Sequence, residues 1–103
     1  MTGSEVYTYA DWRIALGREE DFVAAWKTFV TWSAEQGARA EAGFLLQDPS
    51  DPQRFFSFGP WESEEALGEF FSAAGVEEKS AGMRDLAERF EPRVLSLRAE
   101  WRR

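Results

Sequence analysis

A chain of 103 residues with 19 acidic and 12 basic side chains carries a net charge of −7, and no basic cluster precedes its Arg102–Arg103 tail. That balance argues against a nucleic-acid partner and against an anionic membrane surface. Cysteine and histidine are both absent, which removes disulfides, thiolate metal sites, Cys nucleophiles, the commonest general base and the usual haem ligand together.

The apolar load is high, at 44% with five Trp and nine Phe, enough large rings to order one domain over residues 1–103. The opening MTGSEVYTYADW lacks the basic-then-apolar pattern of a leader. No apolar run nears the roughly 20 residues that span a bilayer. A cytoplasmic protein is expected.

Residues 6–16, VYTYADWRIAL, alternate with period two. Val6, Thr8, Ala10, Trp12, Ile14 and Leu16 fall on one side, and Tyr7, Tyr9, Asp11, Arg13 and Ala15 on the other, so a strand is predicted. Gly17 breaks it, and Glu19, Glu20 and Asp21 suit a helix start. Phe22, Trp26, Phe29 and Ser33 then recur at helical spacing, with Gly37 as the stop. Residues 42–48 read as a short strand, and the Asp-Pro steps of DPSDPQ as a turn of about six residues before a second strand, RFFSF. Ser63 is placed to cap a helix carrying Ala66, Leu67, Phe70 and Phe71. After Gly75 a further helix is expected through Val76, Met83, Leu86, Ala87 and Phe90, ended by Pro92. Residues 93–101, RVLSLRAEW, alternate again as a last strand.

The order is β-α-β-β-α-β, a ferredoxin-like α+β arrangement with an antiparallel sheet and its helices on one face. Strand parity puts Phe55, Ser57, Gly59 and Trp61 on one side of the sheet and Phe56 and Phe58 on the other. Both faces carry apolar side chains, yet the helices of one chain cover only one. A half-exposed antiparallel sheet alternates more cleanly, so the second face is expected to meet another copy in a homodimer.

The stretch FFSFGPWESEEALGEFF (55–71), an aromatic strand ending in Trp followed by an acidic-Ser step and a helix, resembles the antibiotic biosynthesis monooxygenase domain. Residues 9–29 and 93–101 are similar to its first strand and helix and to its last strand. The resemblance implies a dimeric α+β barrel with two sheets face to face. It also implies cofactor-independent oxygenation of a hydrophobic aromatic small molecule of quinone-forming type, without metal or flavin. The substrate phenol, as its anion, would react with O₂ itself in a dry pocket between helices and sheet. Trp61 matches the pocket Trp of that family. Ser57 stands where quinone-forming members carry a carboxamide, and Leu67 where they carry a Tyr. The haem-degrading branch needs a His ligand and an Asn on the first strand; the chain has no His, and Trp12 occupies the Asn position.

Each candidate has a plainer reading beside the functional one. Trp61, Trp12, Trp26 and Phe70 line a pocket if one is open and are otherwise core, with Trp12 and Trp26 expected to face one another. Ser57 would supply polarity there. Phe56, Phe58, Tyr7 and Tyr9 suit a dimer interface. Asp11 and Arg13 either pair or edge a solvated strand, and Arg54 and Arg84 are cations that could hold an anionic substrate. The carboxylates of 62–69 read as a solvated helix start rather than metal ligands, so no metal is expected. A non-catalytic, small-molecule-binding or accessory dimer is the alternative to the oxygenase.

Overall fold

The structure is a computed structural model that describes residues 6–103. Strand β1 (Val6–Ile14) leads into helix α1 (Glu19–Glu35), the hairpin β2 (Phe44–Asp48) and β3 (Asp51–Trp61), helices α2 (Glu64–Phe71) and α3 (Val76–Arg84), and strand β4 (Ala87–Ser96). The four strands form one antiparallel sheet in the order β2-β3-β1-β4. The β-α-β-β-α-β order and the single helical layer stand as the sequence predicts, with the second helical region split in two.

Local chemistry explains most boundaries. The first turn of α1 holds Glu19, Glu20 and Asp21 against the positive end of the helix dipole. It ends where Gly37 takes φ +84°, so that Gly37 N–H donates to the Ala34 carbonyl and Ala38 N–H to that of Ser33, a left-handed closure that glycine adopts without steric cost. Ser63 does cap α2, its side chain accepting from Ala66 N–H at 3.0 Å.

Four boundaries differ from the sequence reading. The β2–β3 connection is two residues, Pro49 and Ser50, rather than six: Asp48 pairs with Asp51, and its carboxylate accepts from Ser50 N–H at 2.8 Å. The register shifts between Gln47 and Asp48, and Pro52 occupies the unpaired stretch this leaves, where its missing N–H breaks no ladder. The last strand begins at Ala87, so Ala87 and Phe90 are not helical. Phe90 pairs across the sheet with Trp12, ring centroids 4.4 Å apart, and that cross-strand contact overrides the helical spacing. Pro92 sits inside β4, opposite Ala10, tolerated because β4 is an edge. The strand ends at Ser96; Trp101 lies beyond it and is 77% exposed. Likewise β1 stops at Ile14, leaving Leu16 79% exposed.

The helical side of the sheet holds two buried clusters. Ala10, Trp12, Ile14, Phe22, Phe55 and Met83 make the first, and Trp61, Leu67, Phe70 and Val76 the second. Phe29 packs against both. Ser33, the buried polar residue of α1, returns its hydroxyl to the Phe29 carbonyl at 2.8 Å. On the opposite side, Phe44, Leu46 and Leu95 are exposed, and Phe44 stacks on Phe58 at 5.2 Å.

Two substitutions test this packing. Phe55→Ala removes a fully buried ring and should cost about 3–5 kcal/mol in urea unfolding. At Gly59 an added Cβ would run into the Ala42 carbonyl, whereas at Gly68 of α2 it would meet nothing within 4 Å. Gly59→Ala should therefore destabilise by about 1–3 kcal/mol, and Gly68→Ala should stabilise by about 1 kcal/mol.

Candidate functional site

Strand parity and the β1–β3 register bring the singled-out side chains to the helical face. Ala10 lies opposite Ser57, and Trp12 opposite Phe55. From that position Trp12 Nε1–H donates to Ser57 Oγ at 2.9 Å. Among the described hydrogen bonds the Ser57 hydroxyl accepts but has no acceptor for its own proton, which leaves one donor on a half-buried oxygen. Thr8, two residues along the same face of β1, turns its hydroxyl to the Gly59 carbonyl at 3.5 Å.

Trp61 is held by the residues that come directly after it in the chain. Glu62 and Ser63 turn the strand into capped α2, and the inner face of that helix returns over the indole. Phe70 lies 5.4 Å and Phe71 5.9 Å from Trp61 by ring centroids. Phe70 also meets Phe29 at 6.4 Å and Trp32 at 6.3 Å. The segment after α1 closes the same end. Ala40 bridges to Trp61, Glu41 N–H donates to the Pro60 carbonyl, and Glu62 N–H to that of Arg39. The Arg39 guanidinium then spans Glu62 at 3.0 Å and Glu69 at 2.5 Å.

Of the side chains named from the sequence, Trp12 and Trp26 belong to the first cluster, and Trp61 and Phe70 to the second. Ser57 lies between Phe55 and Trp61 on β3, with Phe29 touching both clusters from α1. Trp12 and Trp61 are 3% and 6% exposed and Phe70 is 7%; Trp61 and Phe70 pack on each other, whereas Trp12 is buried in the first cluster. The nearest aromatic partners of Trp12 are Phe22, at 4.9 Å, and Phe90. Arg84 is exposed on α3 and donates at 3.3 Å to the Glu77 carbonyl of its own helix. Phe29, Trp32, Phe71 and Arg39 were not among the site candidates named from the sequence. The aromatics lie within the helical patterns, where core and site give the same signal, and Arg39 sits in an irregular segment with no spacing to read.

The other face divides in two. Tyr7, Tyr9, Phe58, Leu95, Leu97 and Arg98 surround a shallow groove of about 260 Å³. Tyr9 packs on Phe56 at 6.3 Å. Beyond them the face is charged: Arg54 pairs with Asp11 at 3.0 Å and Arg13 with Asp51 at 3.0 Å. Asp11 and Arg13 thus have partners within the chain. The hydrogen bond and charge of Asp11 raise the pKa of Arg54 above its ordinary value. Among the described residues, no helix is long and apolar enough to cross a membrane.

No family model and no curated protein matches the sequence. Solved structures do match its fold. SnoaB, a cofactor-independent oxygenase from Streptomyces nogalater, superposes with a TM-score of 0.83 at 15% identity, over 94% of this chain and 96% of that one. A single-site variant of SnoaB gives 0.84 over the same shares, again at 15% identity. A protein from Bordetella bronchiseptica, provisionally assigned as an antibiotic biosynthesis monooxygenase, gives 0.78 at 20% identity over 95% and 99%. PA3566 from Pseudomonas aeruginosa gives 0.74 at 20% identity over 96% and 99%. Over nearly its whole length, the chain has the α+β fold that SnoaB and these other structures share.

Proposed function

We propose that the chain forms a homodimer through the open face of its sheet and takes a hydrophobic aromatic small molecule on the helical face, where it acts as a cofactor-independent monooxygenase. The observation that carries this reading is the Trp12–Ser57 hydrogen bond, which fixes a hydroxyl with a free proton between two aromatic clusters. The fold shared with SnoaB supports it.

In the chemistry proposed, a phenolic anthrone enters as its anion. Its electron-rich carbon passes electrons to O₂ and a C–O bond forms. The resulting peroxide takes back from solvent the proton lost by the anthrone, and cleavage of the C–H and O–O bonds then expels water and leaves the quinone. The protein excludes water and places a donor where negative charge collects on the substrate oxygen. Ser57 is that donor, Trp61 and Phe70 form the apolar wall, and Trp12 is a positioning residue, since it acts through Ser57. Neither His nor Cys is needed.

A second reading has its own observation. Trp61 lies packed on Phe70, and Trp12 is buried in the neighbouring cluster, so a ligand must part these contacts, and among the described residues no side-chain base faces the site. Binding without turnover fits that arrangement.

An oxygen electrode with a hydroxylated anthrone, set beside quenching of tryptophan fluorescence, separates these readings. The oxygenase should consume O₂ faster than heat-denatured protein does. Ser57→Ala should slow turnover by about ten- to a hundredfold with little change in quenching, as removal of one oxyanion donor does. Trp61→Ala should weaken both signals. Quenching without O₂ uptake establishes the binding reading, and absence of both overturns the site.

Dimerisation is tested separately by sedimentation. The wild-type chain should run at twice its mass at micromolar concentration, and Phe58→Glu with Leu95→Glu should run as a folded monomer. A wild-type monomer would sink the proposed interface.

A further inference from the structure

A second groove lies on the helical layer, away from Ser57. Its volume is about 430 Å³, within the range of small-molecule sites. Phe29 and Trp32 of α1 form its floor, Lys27, Thr28 and Thr31 its rim on the same helix, and Lys79 of α3 the facing rim. Glu35 closes one end, two turns and about 12 Å along α1 from Lys27.

Lys27 and Lys79 are the only two lysines in the chain, and both border this groove. Among the described residues neither is within ion-pair distance of a carboxylate, whereas Arg13, Arg18, Arg39, Arg54, Arg89 and Arg102 all are. In a protein of net charge −7, two ammonium groups bordering one aromatic floor, against the single carboxylate of Glu35 in the lining, favour an anionic group there. The floor is fixed. Trp32 lies 6.0 Å from Phe29 and 6.3 Å from Phe70 by ring centroids, and a Cβ at Gly75 would stand 3.4 Å from its indole. Lys79 Nζ is 6.0 Å from the centre of that ring, the outer limit of cation–π attraction. It is therefore free to turn toward an anion at little cost.

We propose that this groove binds a planar aromatic carboxylate, with its ring on Trp32 and Phe29 and its acid group between Lys27 and Lys79. A cationic ligand is disfavoured by two ammonium groups against the single carboxylate of Glu35. A nucleic acid is disfavoured by the charge of the whole chain. Phe29 and Trp32 also back the Trp61–Phe70 cluster, but the proposed oxygenation gives neither a role, so this site stands or falls apart from that reading.

The test is amide chemical-shift mapping with 2-naphthoate, and with 2-naphthylmethanol as the uncharged control. Saturable shifts are expected along 27–35 and 75–79, with a dissociation constant of about 1 mM or tighter. Binding should weaken about tenfold or more in Lys27→Met with Lys79→Met, a loss of about 1.4 kcal/mol or more. The uncharged control should bind correspondingly less well, and added salt should weaken the naphthoate. Both lysines are exposed, so the double variant should keep the wild-type spectrum elsewhere. Three outcomes overturn the proposal: no saturable shift along these segments, shifts confined to Tyr7, Phe58 and Leu95, or undiminished binding by the double variant.

Discussion

Four antiparallel strands present large rings on both sides of one sheet, and three helices lie on one of those sides. Apolar area on a sheet must be covered by something, and here the chain supplies cover for half of it. On the helical side Phe22, Phe55 and Ile14 are sealed, with Phe29 joining the two clusters. On the other side Phe44, Leu46 and Leu95 remain in solvent beside Tyr7, Tyr9 and Phe58. The proposed dimer answers that imbalance. The charges on the same face add a constraint: Asp11, Arg54, Arg13 and Asp51 already neutralise one another, so a second copy meets paired ions instead of bare ones. Desolvating a pair with partners in place is far less costly than burying a lone charge.

The helical side poses a different problem, because packing and function draw on the same residues. Trp61 stabilises the second cluster and walls the proposed site. Opening a path to Ser57 therefore means separating rings whose contacts hold α2 down. The Arg39 clamp on Glu62 and Glu69 spans the start of that helix and its outer face. Exposed ion pairs of this kind contribute little to overall stability, but they tie the loop after α1 to the helix above Trp61. Movement at this end must take both together.

Much of this arrangement was legible in the residues. Period-two alternation located β1 and assigned Tyr7 and Tyr9 to the face away from Trp12, and parity along β3 divided Phe55, Ser57 and Trp61 from Phe56 and Phe58. Where local spacing carried two meanings, it misled. Leu86, Ala87 and Phe90 fit a helix as well as they fit the start of a strand. The deciding influence was Trp12, distant in sequence, offering Phe90 a partner across the sheet. The short β2–β3 turn was hidden for a related reason, since Pro52 reads as a turn residue unless the bulge that shelters it is known. The Trp12–Ser57 hydrogen bond depended on register, which alternation alone does not fix. The groove at Trp32 depended on where α3 lies against α1, and no pattern within either helix encodes that.

Pro92 has a consequence for assembly as well as for the strand that holds it. A free sheet edge invites further strands, and successive additions build open-ended fibres. Here one outer strand carries a residue with no amide hydrogen at its middle, and the other is five residues long with its register broken at the tip. Neither rim is a good template for growth. The contact proposed through the flat of the sheet, by contrast, would be closed by one twofold partner. The same chain that leaves apolar surface uncovered thus restricts how it can be covered, favouring a closed pair over a filament.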